Sequence, residues 1–474
     1  MTHKTRRSFL KTSALGITAA ATADMTFAVS RLVAAPSSGD IAVTVTSGEQ
    51  RYAPAPALPW RSGAASGSSV VIDDNKKFQQ ILGFGAAFTD AACYMFHQLA
   101  EPVRAQLLHE LFHPEEMALS VCRTCIGASD YSTEVFNYDD EKDDMEMQHF
   151  SIRHDEDYVL PALRQARKEN PNLFLFSSPW SPPGWMKAGG SMLGGSMRQH
   201  YYAPYAQYLL KFLQAYAAAG APVQAITIQN EVDTDQDGRM PACLWPQEYE
   251  IGFVKNHLGP LLEKNGIDTK IWILDHNYNL WGRAICELDD LDLRKYCDSV
   301  AFHGYVGTPD MMSKVHDAHP EAHLYWTEGG PDITAKDYAT DWASWGHTFT
   351  GALRNWCESL TAWNLALDER GKPNIGPFPF GGLVTIHSQT KQITRSGQYW
   401  AFAHFSRAVK RGARRIESSS PTSVVDHVAF ENPDGEKVLV VSNRGPEKKL
   451  TLQFGGTNAE FIAPQDSIAT LSWS

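Results

Sequence analysis

Glu231 and Glu328 are the residues of this 474-residue chain whose settings point most directly to chemistry. Glu231 closes the run Ala225-Ile226-Thr227-Ile228-Gln229-Asn230, and Glu328 closes His323-Leu324-Tyr325-Trp326-Thr327. Both runs have the length and the β-branched or aromatic content of a buried strand. Side chains alternate along a strand, so Thr227, Gln229 and Glu231 are expected on one face, as are Leu324, Trp326 and Glu328, with both carboxylates pointing inward at the strand mouths. At the mouth of a parallel barrel, one ionised carboxyl and one protonated carboxyl suit the cleavage of a glycosidic bond. A lone strand-end glutamate is usually a solvated terminus; Asn230 before one and Trp326-Thr327 before the other favour a site.

The elements that must position this pair are eight short apolar runs: residues 81–84, 120–126, 173–177, 224–229, 270–274, 299–303, 323–327 and 359–364. Helix-period segments alternate with them. Between the third and fourth, Tyr205, Tyr208, Leu209, Phe212, Leu213 and Tyr216 recur at helical spacing, and Gly220 and Pro222 stop the helix. Eight β/α units predict an α/β fold, a (β/α)8 TIM barrel with long loops, over 80–411. The two ends do not fit the barrel. Residues 41–60 and 70–72 read as strands, and 424–430, Asn432-Pro433-Asp434-Gly435 and 437–442 read as a hairpin. Residues 36–79 plus 412–474 are therefore expected to form one accessory β-sandwich. The Ser/Gly/Ala stretch 62–69 reads as a flexible connection.

Thr5-Arg6-Arg7-Ser8-Phe9-Leu10-Lys11 followed by a weakly apolar stretch reads as a twin-arginine signal peptide over 1–35, cleaved after Ala35 or, less favourably, Ala23. It is too short and too polar for a stable membrane span, which predicts a periplasmic or secreted protein without membrane insertion. The formal net charge is −12, and loss of the leader removes more cations than carboxylates. Such an acidic chain is a poor partner for nucleic acid. Seven cysteines do not complete a disulfide framework, and Cys93, Cys122, Cys125, Cys243, Cys286, Cys297 and Cys357 are expected to be buried thiols. Cys122 and Cys125 lie in one strand-like run, where residues three apart face opposite sides and cannot grip one metal. Among 17 histidines, no His-x-x-x-His or His-Glu-x-x-His pair occupies a convincing site. Neither a metal nor a cofactor is expected.

Four ordered blocks carry a resemblance to a known family: 83–92 (GFGAAFTDAA), 178–187 (SPWSPPGWMK), Gln229-Asn230-Glu231 and 361–367 (TAWNLAL). They resemble glycoside hydrolase family 30, most closely its glucosylceramidase (acid β-glucosidase) branch, over nearly the whole mature chain. The resemblance implies a retaining hydrolase of β-glycosides built as a (β/α)8 barrel joined to a β-sandwich. By matching position it makes Glu231 the acid/base and Glu328 the nucleophile. It places Asp90, Trp180, Asn230 and Trp363 around the sugar, and Arg123, His303 and Tyr305 around the nucleophile. The residue chemistry fits these roles. Asn230 can donate to the sugar 2-hydroxyl, and Arg123 with Tyr305 would keep Glu328 ionised while Glu231 stays protonated.

Each residue also has a structural reading. Trp180 and Trp363 can be packing, His303 a core histidine and Asp90 part of a helix start, whereas a buried Arg123 demands an anionic partner. The chain departs from the animal lysosomal branch in carrying Gln229 for Glu, His276 for an acidic residue after Asp275, and Ala362 for Asp. Its loop 371–382, rich in Pro, Gly and Phe, lacks the polar sugar contact. The substrate class implied is a terminal β-glucoside, on a glycolipid or an oligosaccharide. β-1,6-Glucanase and β-xylosidase activities are the alternatives within the family. A non-catalytic carbohydrate-binding protein is the alternative outside it, and would be expected to lack one of the carboxylates.

Overall fold

The computed structural model describes residues 39–63, 69–421 and 425–474. The leader and most of the Ser/Gly/Ala connection lie outside them. Eight parallel strands close a barrel: β1 Gly83–Phe88, β2 Val121–Ile126, β3 Phe174–Pro179, β4 Ala225–Thr227, β5 Lys270–Asn277, β6 Ser299–His303, β7 His323–Glu328 and β8 Cys357–Ala362. Each strand pairs with its neighbour in sequence, and β8 returns to β1. Gly85 allows β1 to approach β2: a Cβ at that position would lie 1.9 Å from the Val121 carbonyl oxygen.

The barrel interior is a packed floor rather than a pore. Val121, Phe176, Ala225, Trp272, Ala301 and Tyr325 form one buried cluster, with Trp272 and Tyr325 stacked at 4.1 Å between ring centroids. Alternate residues face outward under the helices, as Ile226 and Ile273 do. The helix foreseen from its aromatic spacing runs Tyr202–Ala218 and ends at Gly220, whose φ is +82°.

Strands from both chain ends make one ten-stranded curled sheet, in which Ile41–Ser47 pairs with Ser467–Trp473 and Ser69–Gln80 pairs with Arg414–Ser419. The hairpin at 432–435 is present, with Asp426–Glu431 antiparallel to Lys437–Asn443. Period-two alternation divides this strand between two cores. Val438 and Val440 join the large cluster shared with the barrel, whereas Leu439 and Val441 enter the sandwich's own core. Ser442 Oγ donates to the Ala343 carbonyl (2.8 Å), and buried His404 bridges Thr46 and Thr470 at 2.8 and 2.9 Å. The barrel and sheet are thus joined by apolar packing and by satisfied polar contacts. A small sheet of Ala366–Leu367, Val384–Ile386 and Ile393–Arg395 has no counterpart in the sequence expectations.

Among the described residues no helix is long and apolar enough to cross a membrane. Cys122 packs in the outer cluster and Cys125 beside Trp180, on opposite sides as expected. Cys286 is exposed and corrects the expectation of seven buried thiols.

Candidate active site

The mouth of the barrel carries a charged layer directly above the aromatic floor. Arg123 from β2 is wholly buried, and its guanidinium donates to Glu328, to Asn230 Oδ1 (2.7 Å), to Asp275 Oδ2 (2.7 Å) and to Ser178 Oγ (3.1 Å). Asp275 also accepts from Ser178, Thr227 and Thr327 at 2.7–2.8 Å. Burial penalises its charge, but Arg123 and His303 with these hydroxyls hold its carboxyl far below the usual range. A buried guanidinium that directs four of its five N–H donors to two carboxylates, an amide oxygen and a hydroxyl meets the condition under which ion pairs persist in a core.

Glu328 and Asp275 reach this layer through irregular strands. Along β7, Tyr325 joins the floor and Trp326 packs outward on Phe349, so strict alternation would carry Glu328 outward. The pairing slips between Phe302 opposite Trp326 and His303 opposite Glu328. The resulting bulge at Thr327 turns both Thr327 and Glu328 inward, which corrects the expectation that Leu324, Trp326 and Glu328 share a face. A second slip brings Asp275 inward, between Leu274 opposite Ala301 and His276 opposite Phe302. Leu274 and Asp275 have φ of +72° and +45°, and the Leu274 amide donates to buried Glu250 (3.0 Å). β4 is regular only to Thr227. Glu231 lies beyond it at φ +54°, and its amide donates to the Asp275 carbonyl (2.9 Å).

Glu231 and Glu328 both line a cavity of about 370 Å³ together with Asp130, Trp180, Asn230 and Tyr305. Tyr305 Oη donates to Glu328 Oε1 (3.0 Å), and Gln236 Nε2 donates to Glu231 Oε2 (2.7 Å). His303 stands behind both carboxylates. Its Nδ1 is 3.5 Å from Glu231, while its Nε2 is 3.0 Å from Asp275 and 3.9 Å from Glu328. Burial opposes its charge, but Glu328, Asp275 and Glu231 together raise it to about 9.

The protein's own groups shift the two carboxyls opposite to the sequence expectation. Burial raises Glu328 above the ordinary range despite His303 and Arg123, and the charges of Glu231 and Asp275 add to the rise. Burial also acts against Glu231, but His303, His276 and Gln236 hold it below. Arg123 divides its charge between two carboxylates, whereas Glu231 has the histidines beside it.

The other expected residues fall in three places. Trp180 lines the cavity; Trp363 stacks on it at 5.0 Å and is itself only 1% exposed, so it supports the wall from behind. Asp90 is withdrawn from the cavity. Thr133 N (2.7 Å) and Oγ1 (2.8 Å) donate to one carboxylate oxygen, and His154 Nε2 lies 2.9 Å from the other. Asp90 therefore stands behind the cavity wall, whereas the sequence had placed it around the sugar. The helix cap is the neighbouring Thr89, whose side chain accepts from the Ala92 amide. The carboxyl that does face the cavity is Asp130, four residues past β2, and burial with the charges of Glu328 and Glu231 drives its pKa well up. An acidic residue in a loop leaving the C-terminal end of a barrel strand was the available signal. Phe378 and Phe380 of the 371–382 loop form a further wall, pinned where Tyr131 Oη donates to the Phe378 carbonyl and accepts from the Phe380 amide, both at 2.8 Å. Glu231, His276 and His303 each present a potential metal-ligating atom, all within 4.8 Å of one another.

Comparison with known proteins accords with this geometry. Residues 81–409 match the glycosyl hydrolase family 30 TIM-barrel domain, and residues 412–471 its β-sandwich domain. A putative glucosylceramidase 1 of Caenorhabditis elegans is 31% identical over 431 residues, 85% of this chain and 82% of the relative. An endo-1,6-β-D-glucanase of Neurospora crassa is 32% identical over 418 residues, 82% of this chain and 85% of that one. A solved endo-β1,6-glucanase structure superposes with TM-score 0.83 at 29% identity, covering 92% of this chain and all of the other.

Proposed function

The chain belongs to glycosyl hydrolase family 30, and on that premise we propose that it hydrolyses terminal β-glucosidic bonds with retention, in the manner of a glucosylceramidase. The observation that carries this is the convergence of Glu231 and Glu328 on one cavity that also presents Asp130, Asn230 and Trp180. Glu328 attacks the anomeric carbon while Glu231 protonates the departing oxygen; Glu231 then activates the water that releases the sugar. Asn230, its oxygen fixed by Arg123, keeps its amide N–H free for the sugar 2-hydroxyl. Asp130 hydrogen-bonds a further hydroxyl, and Trp180 offers an apolar face to the ring.

The cycle needs Glu328 ionised and Glu231 protonated, against the direction in which the protein alone shifts the two carboxyls. A bound glycoside supplies that reversal by donating hydroxyls towards Glu328 and excluding water from Glu231. The leader motif supports export by the twin-arginine route to the periplasm or beyond.

Hydrolysis of β-1,6-glucan is the second reading, supported by the Neurospora relative and the solved glucanase. The test compares kcat/KM on glucosylceramide in detergent, an aryl β-glucoside and β-1,6-gluco-oligosaccharides of increasing length. Turnover of the first two is expected. A rate that climbs steeply with oligosaccharide length while glucosylceramide stays intact would replace the first reading by the second.

A further inference from the structure

Glu231, His276 and His303 follow or end the neighbouring strands β4, β5 and β6, so the barrel's register gathers them on one side of the cavity. One ligand atom from each can be chosen so that all three lie within 4.8 Å of one another. Glu231 Oε1 is 3.5 Å from His303 Nδ1 and 3.8 Å from His276 Nδ1. Tetrahedral zinc with bonds of about 2.0–2.1 Å sets its ligand atoms about 3.3 Å apart. The two measured separations are close to that, and the third lies within 4.8 Å.

Two further features point to a ligand. The wholly buried His303 makes no well-aligned hydrogen bond through Nδ1, which faces Glu231 Oε1 at 3.5 Å, so an ion would enter by displacing the proton between them. Its other nitrogen is engaged with Asp275 Oδ1 (3.0 Å), a carboxylate itself held by Arg123 and three hydroxyls. A carboxylate on the far nitrogen of an imidazole is the arrangement that fixes tautomer and ring direction in metal-ligating histidines. His276 and Glu231 both line the cavity, so the cluster is reached from it.

We propose that these three residues form a binding site for a divalent transition-metal ion, zinc or copper(II), and that its occupation blocks catalysis. Two imidazoles and one carboxylate favour these ions over magnesium or calcium, which prefer oxygen-only shells. A bound ion holds the Glu231 carboxylate as a ligand and fills the space beside it, so it competes with the glycoside. The binding stands on geometry alone; the blocked turnover rests on Glu231 being the acid/base.

The test uses metal-free protein carrying Cys286→Ser, which removes the exposed thiol. Zinc chloride binding is followed by calorimetry, and cobalt(II) binding by its visible spectrum. Zinc is expected to bind in a cavity-dependent manner: His276→Asn and, separately, Glu231→Gln each weaken it at least about tenfold, with folding checked by circular dichroism. If one variant does not fold, the other carries the test, since each removes one ligand. In the parent, zinc should raise KM for an aryl β-glucoside and leave kcat unchanged. Zinc affinity unaltered in the folded variants, or a thiolate charge-transfer band in the cobalt spectrum, would overturn the site. Ligand-dependent zinc binding in a protein with no glycosidase activity would instead sink the functional reading and leave the site standing.

Discussion

Arg123 balances the charges of the site, because its single guanidinium serves Glu328, Asp275 and Asn230 in a fully buried position. Arg123→Met leaves two carboxylates without their cation and is expected to cost about 3–5 kcal/mol of stability, measured by denaturant unfolding. A cost within that of an ordinary surface substitution would contradict the buried network. The two glutamates separate by chemistry. Glu328→Ala should abolish turnover of every glycoside. Glu231→Ala should lose about 10²–10⁴-fold on substrates with poor leaving groups, retain aryl glycosides, and yield the β-glycosyl azide when azide is added; an α-azide would reverse the roles. Because Glu231 is held low in the free protein and must be protonated in the complex, the basic limb of kcat should lie at higher pH than that of kcat/KM. Coincident limbs would show that substrate does not reorder the pair. At this scale the sequence brought forward Glu231 and Glu328 as the ends of apolar runs and Arg123 as a charge inside one, and the structure sets Arg123 against Glu328 with both glutamates on one cavity. The sequence placed Asp90 around the sugar and passed over Asp130, because whether a loop carboxylate faces a cavity depends on partners distant in sequence, here Thr133 and His154 against one and the open site for the other.

Among the elements, the eight barrel strands were legible from apolar runs, since a strand buried on both faces has little choice of composition. Their ends were not. β5 extends to Asn277 and β4 stops at Thr227, where pairing rather than propensity sets the limit. The bulges at Thr327 and Asp275 were invisible because alternation assumes a regular ladder, and a slip changes which face a residue takes without changing its neighbours in sequence. Gly85→Ala should disrupt the β1–β2 approach and destabilise the barrel by several kcal/mol, read as a fall in Tm, because the added Cβ meets backbone rather than a movable side chain. The Phe378–Phe380 wall hangs on the Tyr131 hydroxyl. Tyr131→Phe should raise KM about 5- to 20-fold with a smaller change in kcat, as expected for losing one or two buried hydrogen bonds outside the reacting atoms. An unchanged KM would show that this loop does not bear on substrate.

For the whole molecule, the junction of barrel and sheet contains a titratable group. His404 is fully buried between Thr46 and Thr470, and burial, followed by the charge of Arg407, lowers its pKa to about 3. The unfolded chain takes up this proton near pH 6.5 and the folded protein only near pH 3. Between those values the unfolded state binds more protons, so stability rises with pH and is lost progressively as pH falls through the window. His404→Gln should reduce that slope by one proton, about 1.4 kcal/mol per pH unit, in unfolding measurements from pH 6 to pH 4. A slope equal to that of the parent would remove His404 from the acid response. Pairing of the two chain ends in one sheet was legible because both carried strand patterning that the barrel did not absorb. The division of its strands between two cores appears only once the barrel is in place.

The most direct test of the central claim is the anomeric configuration of the first-formed product, followed by NMR during cleavage of an aryl β-glucoside before mutarotation. Double displacement through Glu328 and Glu231 predicts β-glucose as the initial product. Initial release of α-glucose would show a single displacement by water and contradict the assignment of Glu328 as nucleophile.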